Sequence, residues 1–154
     1  MGIKVVGTNR KARHFYEVLE TVEAGMELVG TEVKSLREGK VSLVDSYAGI
    51  KNDEIILFGL HIAPYEQGNI FNREPRRPRK LLLHKREIKR YIGAITRKGL
   101  TLIPLKVYFN ERGFAKVELA LAKGKRVIDR REDIKRRDQK RDMQREFKGQ
   151  KFKV

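Results

Sequence analysis

The chain has 154 residues and carries 36 Lys and Arg against 20 Asp and Glu, a net charge of +16, which predicts one domain facing a polyanionic partner, either nucleic acid or an anionic membrane surface. It contains no cysteine, which excludes a disulfide scaffold, a thiolate zinc site and thiol catalysis. Hydrophobic residues make up 40%, a normal globular share, and no apolar run approaches the roughly 18 residues of a membrane helix.

The start of the chain shows no export signal, so a cytoplasmic protein is expected. Thr8 to Tyr16 then packs cations, an amide, an imidazole and two aromatics into nine residues. Arg10, Lys11 and Arg13 suit phosphates, Asn9 and His14 suit base edges or ribose hydroxyls, and an aromatic can stack on a base. The plainer reading is a solvated basic turn with Phe15 and Tyr16 in the core. One or two strands are expected over residues 15–22 and 25–30, with Gly25 at a bend or bulge. Thr31 is expected to N-cap a short helix that turns Val33 and Leu36 inward and ends at Gly39. Lys34 and Arg37 then share the outer side, spaced for a phosphate clamp or simply solvated over one end of a barrel.

Residues 42–50 and 54–62 read as a hairpin turned at Lys51-Asn52-Asp53, with Ile56, Phe58, Leu60 and Ile62 on the core face and His61 opposite. Residues 63–80 form the one long connection. It holds three of the four prolines (Pro64, Pro75, Pro78), and loops of this length are functional or mobile. Its arginines from Arg73 to Arg79 suit a curved phosphate backbone. A helix is expected over 84–98, where Ile88, Tyr91, Ile92 and Ile95 recur at helical spacing before Gly99. Residues 100–109 read as a strand with Thr101, Ile103, Leu105, Val107 and Phe109 on one face. Asn110 to Gly113 turns the chain, and 114–122 return with Ala115, Val117, Leu119 and Leu121 inward. The sum is a mainly β fold: a closed antiparallel barrel of about six strands with about three helices, for which the oligonucleotide-binding barrel is the obvious candidate.

Charge is unevenly spread. Residues 73–90 hold nine basic and two acidic side chains, and residues 123–154 hold fourteen and six. This predicts a body over 1–128 with a basic patch, followed by a basic tail over 129–154. In the tail, Asp129 and Glu132 resemble a capping box, and Glu132–Arg136 and Asp133–Arg137 are favourable helical pairs. Its apolar residues are only Ile134, Met143 and Phe147 through residue 149, too few to dock a helix on the body. A tail disordered when free, folding on an anionic partner, is expected. Nothing points to an enzyme. There is no nucleophile elbow, phosphate-cradling glycine loop or paired-carboxylate spacing. The three histidines lie apart, so neither a metal nor another cofactor is expected. Cleavage of RNA by His14 has no partnered base to support it. A ribosomal or general RNA-binding module remains the other class open to a basic barrel with a basic tail.

Six separated blocks resemble the small protein B family, the SsrA-binding proteins. They are Asn9 to His14, Gly30 to Arg37, Asp45-Ser46-Tyr47, Arg79 to Leu83, Leu121 to Lys125, and Asp129-Arg130-Arg131 with Asp133-Ile134-Lys135. The resemblance spans about residues 6–140. It implies a bacterial protein that binds the tRNA-like domain of transfer-messenger RNA and delivers it to stalled ribosomes for peptide tagging and rescue. The tail would enter the empty messenger channel of the small subunit near the decoding centre and become helical there. Alanyl-tRNA synthetase and elongation factor Tu would be partners only through the RNA, and no membrane is involved. The implied RNA contacts are Asn9, Arg10, Lys11, Arg13, His14, Glu23, Lys34, Arg37, Lys80, Lys123 and Lys125. The implied ribosome contacts of the tail are Asp129, Arg130, Arg131, Ile134, Lys135 and Arg141, with Phe147 as a further candidate. Asn9 and His14 are expected to carry specificity and the cations affinity. The carboxylate of Glu23 is expected to accept from a base amino group or to brace an arginine.

Overall fold

The computed structural model describes residues 3–124; the readings placed on Lys125 and on the tail lie outside the described residues. Among those described, nine strands and three α-helices follow one another. Strand β1 (Lys4–Thr8) leads into a one-turn helix α1 (Ala12–Phe15), strand β2 (Tyr16–Met26) and helix α2 (Gly30–Arg37). Then come β3 (Val41–Ser42), β4 (Tyr47–Lys51), β5 (Glu54–Phe58), β6 (His61–Ile62) and a 3-10 turn (Glu66–Phe71). Strand β7 (Arg79–Leu82), helix α3 (Lys85–Lys98) and the long pair β8 (Thr101–Phe109) and β9 (Ala115–Gly124) complete the body.

The main sheet runs β1-β8-β4-β5-β7-β2-β9, and β9 returns to pair with β8. Every pairing is antiparallel. The six strands from β8 round to β9 therefore make a ring, with β1 attached outside it and β3–β6 as a separate ribbon. The expected barrel is present but not strictly closed. A single residue pair, Ala48 opposite Leu102, joins β4 to β8, whereas β2 and β9 pair from Tyr16–Gly124 to Gly25–Lys116.

Inside the ring, Ile55, Leu57, Leu60, Leu81, Leu102, Val107, Val117 and Leu119 are completely or almost completely buried. Each such side chain contributes on the order of 1.5–3 kcal/mol of burial. Helix α3 covers one opening with Tyr91 buried and Ile88, Ala94 and Ile95 packed on the core. It starts where the His84 amide donates to the Glu87 carboxylate at 3.1 Å and stops at Gly99 in the left-handed conformation, φ 65°. The periodicity of 84–98 gave this helix correctly. The tip of the β8–β9 hairpin is also as read: Asn110 Oδ1 accepts from the Arg112 and Phe114 amides, at 3.0 and 2.9 Å.

Other expectations change. Of the one or two strands expected over residues 15–22 and 25–30, a single one forms and ends at Met26. It starts at Tyr16, and its irregularity falls between Val18 and Glu20, while Gly25 stays in register with both neighbours. Helix α2 starts at Gly30 after Val29, not at a Thr31 cap; the Glu32 carboxylate accepts from the Val29 amide at 3.0 Å. The 42–50 strand is broken by a turn over Leu43–Ser46. The turn at 52–53 holds, with Asn52 and Asp53 both left-handed, as a two-residue hairpin with a primed turn requires.

In β5 the core face is Ile55 and Leu57 rather than Ile56 and Phe58. Gly59, at φ 77°, resets the alternation before Leu60 and Ile62 turn inward. In β8 the register shifts between Pro104 and Lys106, so Val107 and Phe109 face the ring interior. Ile103 and Leu105 go instead to a second apolar cluster with Ala12, Ala120 and Ala122 on the other face. That second cluster seats α1.

Candidate nucleic-acid interface

The N-terminal block is held against the irregular part of β8. The Asn9 amide donates to the Leu105 carbonyl at 2.7 Å, and Asn9 Nδ2 donates to the Pro104 carbonyl at 3.0 Å. Where the register slips, β8 leaves carbonyls unmatched, and Asn9 satisfies two of them. Half of the Asn9 side chain is thus spent inside the protein, so the directional role expected for it toward a base narrows to its amide oxygen. Ala12, 3% exposed, then drops into the second apolar cluster and anchors the single turn of α1. The turn leaves Arg10, Lys11 and Arg13 exposed. His14 is half-buried, its ring edge-on to Phe15 at 4.8 Å between centroids.

Directly after α1, Tyr16 pairs with Gly124 and Glu17 with Lys123. This register returns the end of β9 to the beginning of the chain. The turn over Leu43–Ser46 closes the third side. Ser46 is buried, its hydroxyl donating to the Leu43 carbonyl at 2.6 Å, and Asp45 stands in the left-handed conformation at φ 61°. Between these segments lies an open pocket of about 840 Å³ lined by Thr8 to Ala12, Phe15, Tyr16, Val44, Asp45 and Gly124. Three blocks far apart in sequence therefore meet. Asn9, Arg10 and Lys11 were expected there, and exposed Lys123 adjoins it through Gly124. Val44 and Asp45 were missed as site residues, although Asp45-Ser46-Tyr47 had stood out as a block.

Other expected contacts lie elsewhere. Lys34 and Arg37 are exposed on α2, the Lys34 ammonium 5.4 Å from the Tyr65 ring centroid and the Arg37 guanidinium 5.7 Å from that of Phe109. The Arg37 carbonyl accepts from Lys4 Nζ at 3.1 Å. Lys4 and Thr8 end the same strand, so Arg37 lies roughly 13 Å along β1 from the pocket edge. Glu23 accepts a hydrogen bond from the Tyr108 hydroxyl; burial first, and then Glu23, push the Tyr108 hydroxyl well above its ordinary pKa. Glu23 thus braces a tyrosine rather than an arginine, the latter being one of the two roles expected of it. Lys80 sits on the outside of β7, its ammonium 3.3 Å from Glu54.

Part of the basic run of 73–90 is neutralised by carboxylates distant in sequence. Arg79 is completely buried and donates through Nε to Glu32 Oε2 at 2.7 Å and through Nη1 and Nη2 to the carbonyls of Leu60 and Pro75. Arg77 binds the same carboxylate. Burial works to raise the pKa of Glu32, but the two guanidiniums and the Val29 amide outweigh it, so the carboxyl stays below its usual range. Burial lowers the Arg79 pKa and Glu32 pulls it back; a guanidinium stays charged throughout. Arg90 meets Glu20 at 2.6 Å. Arg77 and Arg79 therefore fasten the Pro- and Arg-rich segment to α2 and are not presented to a phosphate backbone.

Among the described residues, no group of three or more His, Asp or Glu side chains is placed to hold a metal ion, and no helix is long and apolar enough to cross a membrane. Residues 6–149 match the family model described as SmpB protein. An SsrA-binding protein of Caldanaerobacter subterraneus subsp. tengcongensis is 61% identical over 95% of this chain and 92% of its own length. One from Moorella thermoacetica is 64% identical over 93% and 92%. A solved chain reported under "tmRNA-SmpB: a journey to the center of the bacterial ribosome" superposes with a TM-score of 0.65 at 60% identity, covering 78% of this chain and 84% of that one.

Proposed function

The chain belongs to the SmpB protein family, and from that premise we propose that it binds the tRNA-like domain of transfer-messenger RNA and delivers that RNA to stalled ribosomes for peptide tagging and rescue. The observation that carries this reading is the convergence of Asn9–Lys11, Asp45 and Gly124 on one open pocket beside exposed cations. Arg10, Lys11, Arg13 and Lys123 neutralise phosphates around it. Lys34 and Arg37 form a second, separate contact on α2. Glu23, bonded to Tyr108 across β9, and Lys80, paired with Glu54 on the adjacent strand, support the sheet first. The protein acts by binding in the cytoplasm, with no catalytic step of its own. Alanyl-tRNA synthetase and elongation factor Tu meet it only through the RNA. The body over 1–128 carries the RNA. The tail, with Asp129, Arg130, Arg131, Ile134, Lys135, Arg141 and Phe147, engages the small subunit's messenger channel near the decoding centre.

A competition gel shift at fixed, stated salt tests this, because affinity for a polyanion has no meaning without the salt concentration. Labelled transfer-messenger RNA should be displaced by its own unlabelled tRNA-like domain. Excess transfer RNA or unrelated stem-loops should leave it bound. Equal displacement by all three would make the protein a general RNA binder, and shortened RNA recovered from the complex would make it a nuclease.

A further inference from the structure

We propose that the pocket beside α1 takes an unstacked guanine of the RNA and that Asp45 is the residue that selects it; this deepens, and rests on, the reading of the chain as an RNA-binding protein.

The pocket has three kinds of wall. Arg10 and Lys11 supply cations at its rim. Phe15 lines it as well, and Tyr16 supplies an aromatic face, on which a splayed-out base can stack. Asp45 supplies a carboxylate, and a carboxylate is an unexpected group at a surface meant for phosphates. It repels them and can only accept hydrogen bonds. Among the described residues no hydrogen bond or ion pair occupies Asp45. It is therefore not needed to brace the fold in the way that Glu32 or Glu23 is.

Its placement is nonetheless fixed. The turn is tied by Ser46 to the Leu43 carbonyl, and Leu43 is 2% exposed. Gly59 passes so near that a side chain there would meet the Asp45 carbonyl at 2.9 Å. The turn is fixed in backbone, and the carboxylate it carries, without a partner among the described residues, lines a cationic pocket with aromatic walls; two carboxylate oxygens side by side suit two adjacent donors. Guanine is the one common base whose Watson–Crick edge offers them, N1–H and the N2 amino group. Adenine and cytosine each offer one amino group beside an acceptor, and uracil a single imide N–H between two acceptors. A pocket of about 840 Å³ lies within the usual size range of small-ligand sites and has room for a nucleoside. Asn9, its amide nitrogen committed to Pro104, is left a supporting role, and discrimination passes to Asp45.

The test uses the full-length protein and transfer-messenger RNA transcripts carrying phosphorothioate-tagged inosine at random guanine positions. Inosine lacks only the N2 amino group. Bound and unbound RNA are separated and cleaved at the tags. The wild-type protein should exclude inosine from the bound fraction at one guanine outside the paired stems. D45N should lose that exclusion, because asparagine presents a donor where the carboxylate had an acceptor. Asparagine also tolerates the left-handed backbone, so the turn is kept; D45G, which keeps it too, is the second variant. An RNA with inosine at that one position should bind the wild type about 10- to 150-fold more weakly, the span of one hydrogen bond to a charged group, and D45N no more weakly than unmodified RNA does. An identical exclusion pattern in wild type and both variants would overturn the assignment to Asp45. Binding by the wild type with no exclusion at any unpaired guanine would overturn the guanine pocket while leaving RNA binding intact. Failure of the wild type to retain the RNA at all would overturn the broader reading and this one with it.

Discussion

Glu32 is the side chain on which most of the buried charge depends. It is 5% exposed and faces Arg79, fully buried, and Arg77, 26% exposed. Removing the carboxylate charge leaves a guanidinium stranded in the interior, and breaking a buried pair in this way costs about 3–5 kcal/mol. Glu32→Gln should therefore lower the unfolding free energy by about that amount in a urea titration at neutral pH. A loss below about 1 kcal/mol would show that the two arginines find other partners. The pH dependence has a definite sign. The folded carboxyl titrates below the ordinary 4.5, so its contribution is complete above that value and is lost as pH falls through the lower folded one. Wild type and Glu32→Gln should converge in stability as the medium is acidified through that window. None of this was legible in the sequence. Arg77 and Arg79 read as RNA-facing cations because their partner lies more than forty residues earlier, and a charge count cannot see which cations the fold consumes.

At the scale of elements, local pattern succeeded where one element settles its own fate. Helix α3 repeats apolar residues at helical spacing and ends on a glycine, and both signals lie within fifteen residues. Strand phase failed where a single backbone event resets it. Gly59 exchanged the faces of β5, and the slip between Pro104 and Lys106 exchanged those of β8. Apolar residues on both faces of β8 then hid the exchange, because alternation carries no information when neither face meets water. Two glycines make the point testable. Gly99 is left-handed with open space around it, whereas Gly59 is left-handed with the Asp45 carbonyl 2.9 Å from where a Cβ would stand. Gly99→Ala should cost only the backbone preference, about 1–2 kcal/mol. Gly59→Ala should add an overlap of about 1–3 kcal/mol, and thermal unfolding should rank the two in that order. Equal midpoints would mean that the Leu43–Ser46 turn yields easily.

For the whole molecule, the sequence placed the positive charge correctly by segment and incorrectly by availability. Of the basic side chains in 73–90, Arg77, Arg79, Lys80 and Arg90 meet carboxylates brought from α2, β5 and β2. Exposed cations outside such pairs, among them Arg10, Lys11 and Arg13 beside α1, remain available to phosphates. Salt titrations of RNA binding should separate the two. Arg10→Ala should reduce the slope of log affinity against log salt by about 0.7–0.9, the value for one phosphate contact. Lys80→Ala should leave the slope unchanged, since Glu54 already balances that ammonium. A reduced slope for Lys80→Ala and none for Arg10→Ala would put the RNA on the other side of the ring.

The pairing of Tyr16 with Gly124 has a consequence beyond the pocket it closes. Gly124 lines that pocket, so the 30 residues that follow it, with thirteen Lys and Arg against six acidic residues, are rooted at its edge. On the proposed reading, an RNA held in the pocket and a ribosomal site engaged by that segment are joined through one chain, so the second contact is governed by the reach of the tether rather than by bulk concentration. Moving the root to the opposite end of the ring would leave every side chain in place and still weaken the assembly.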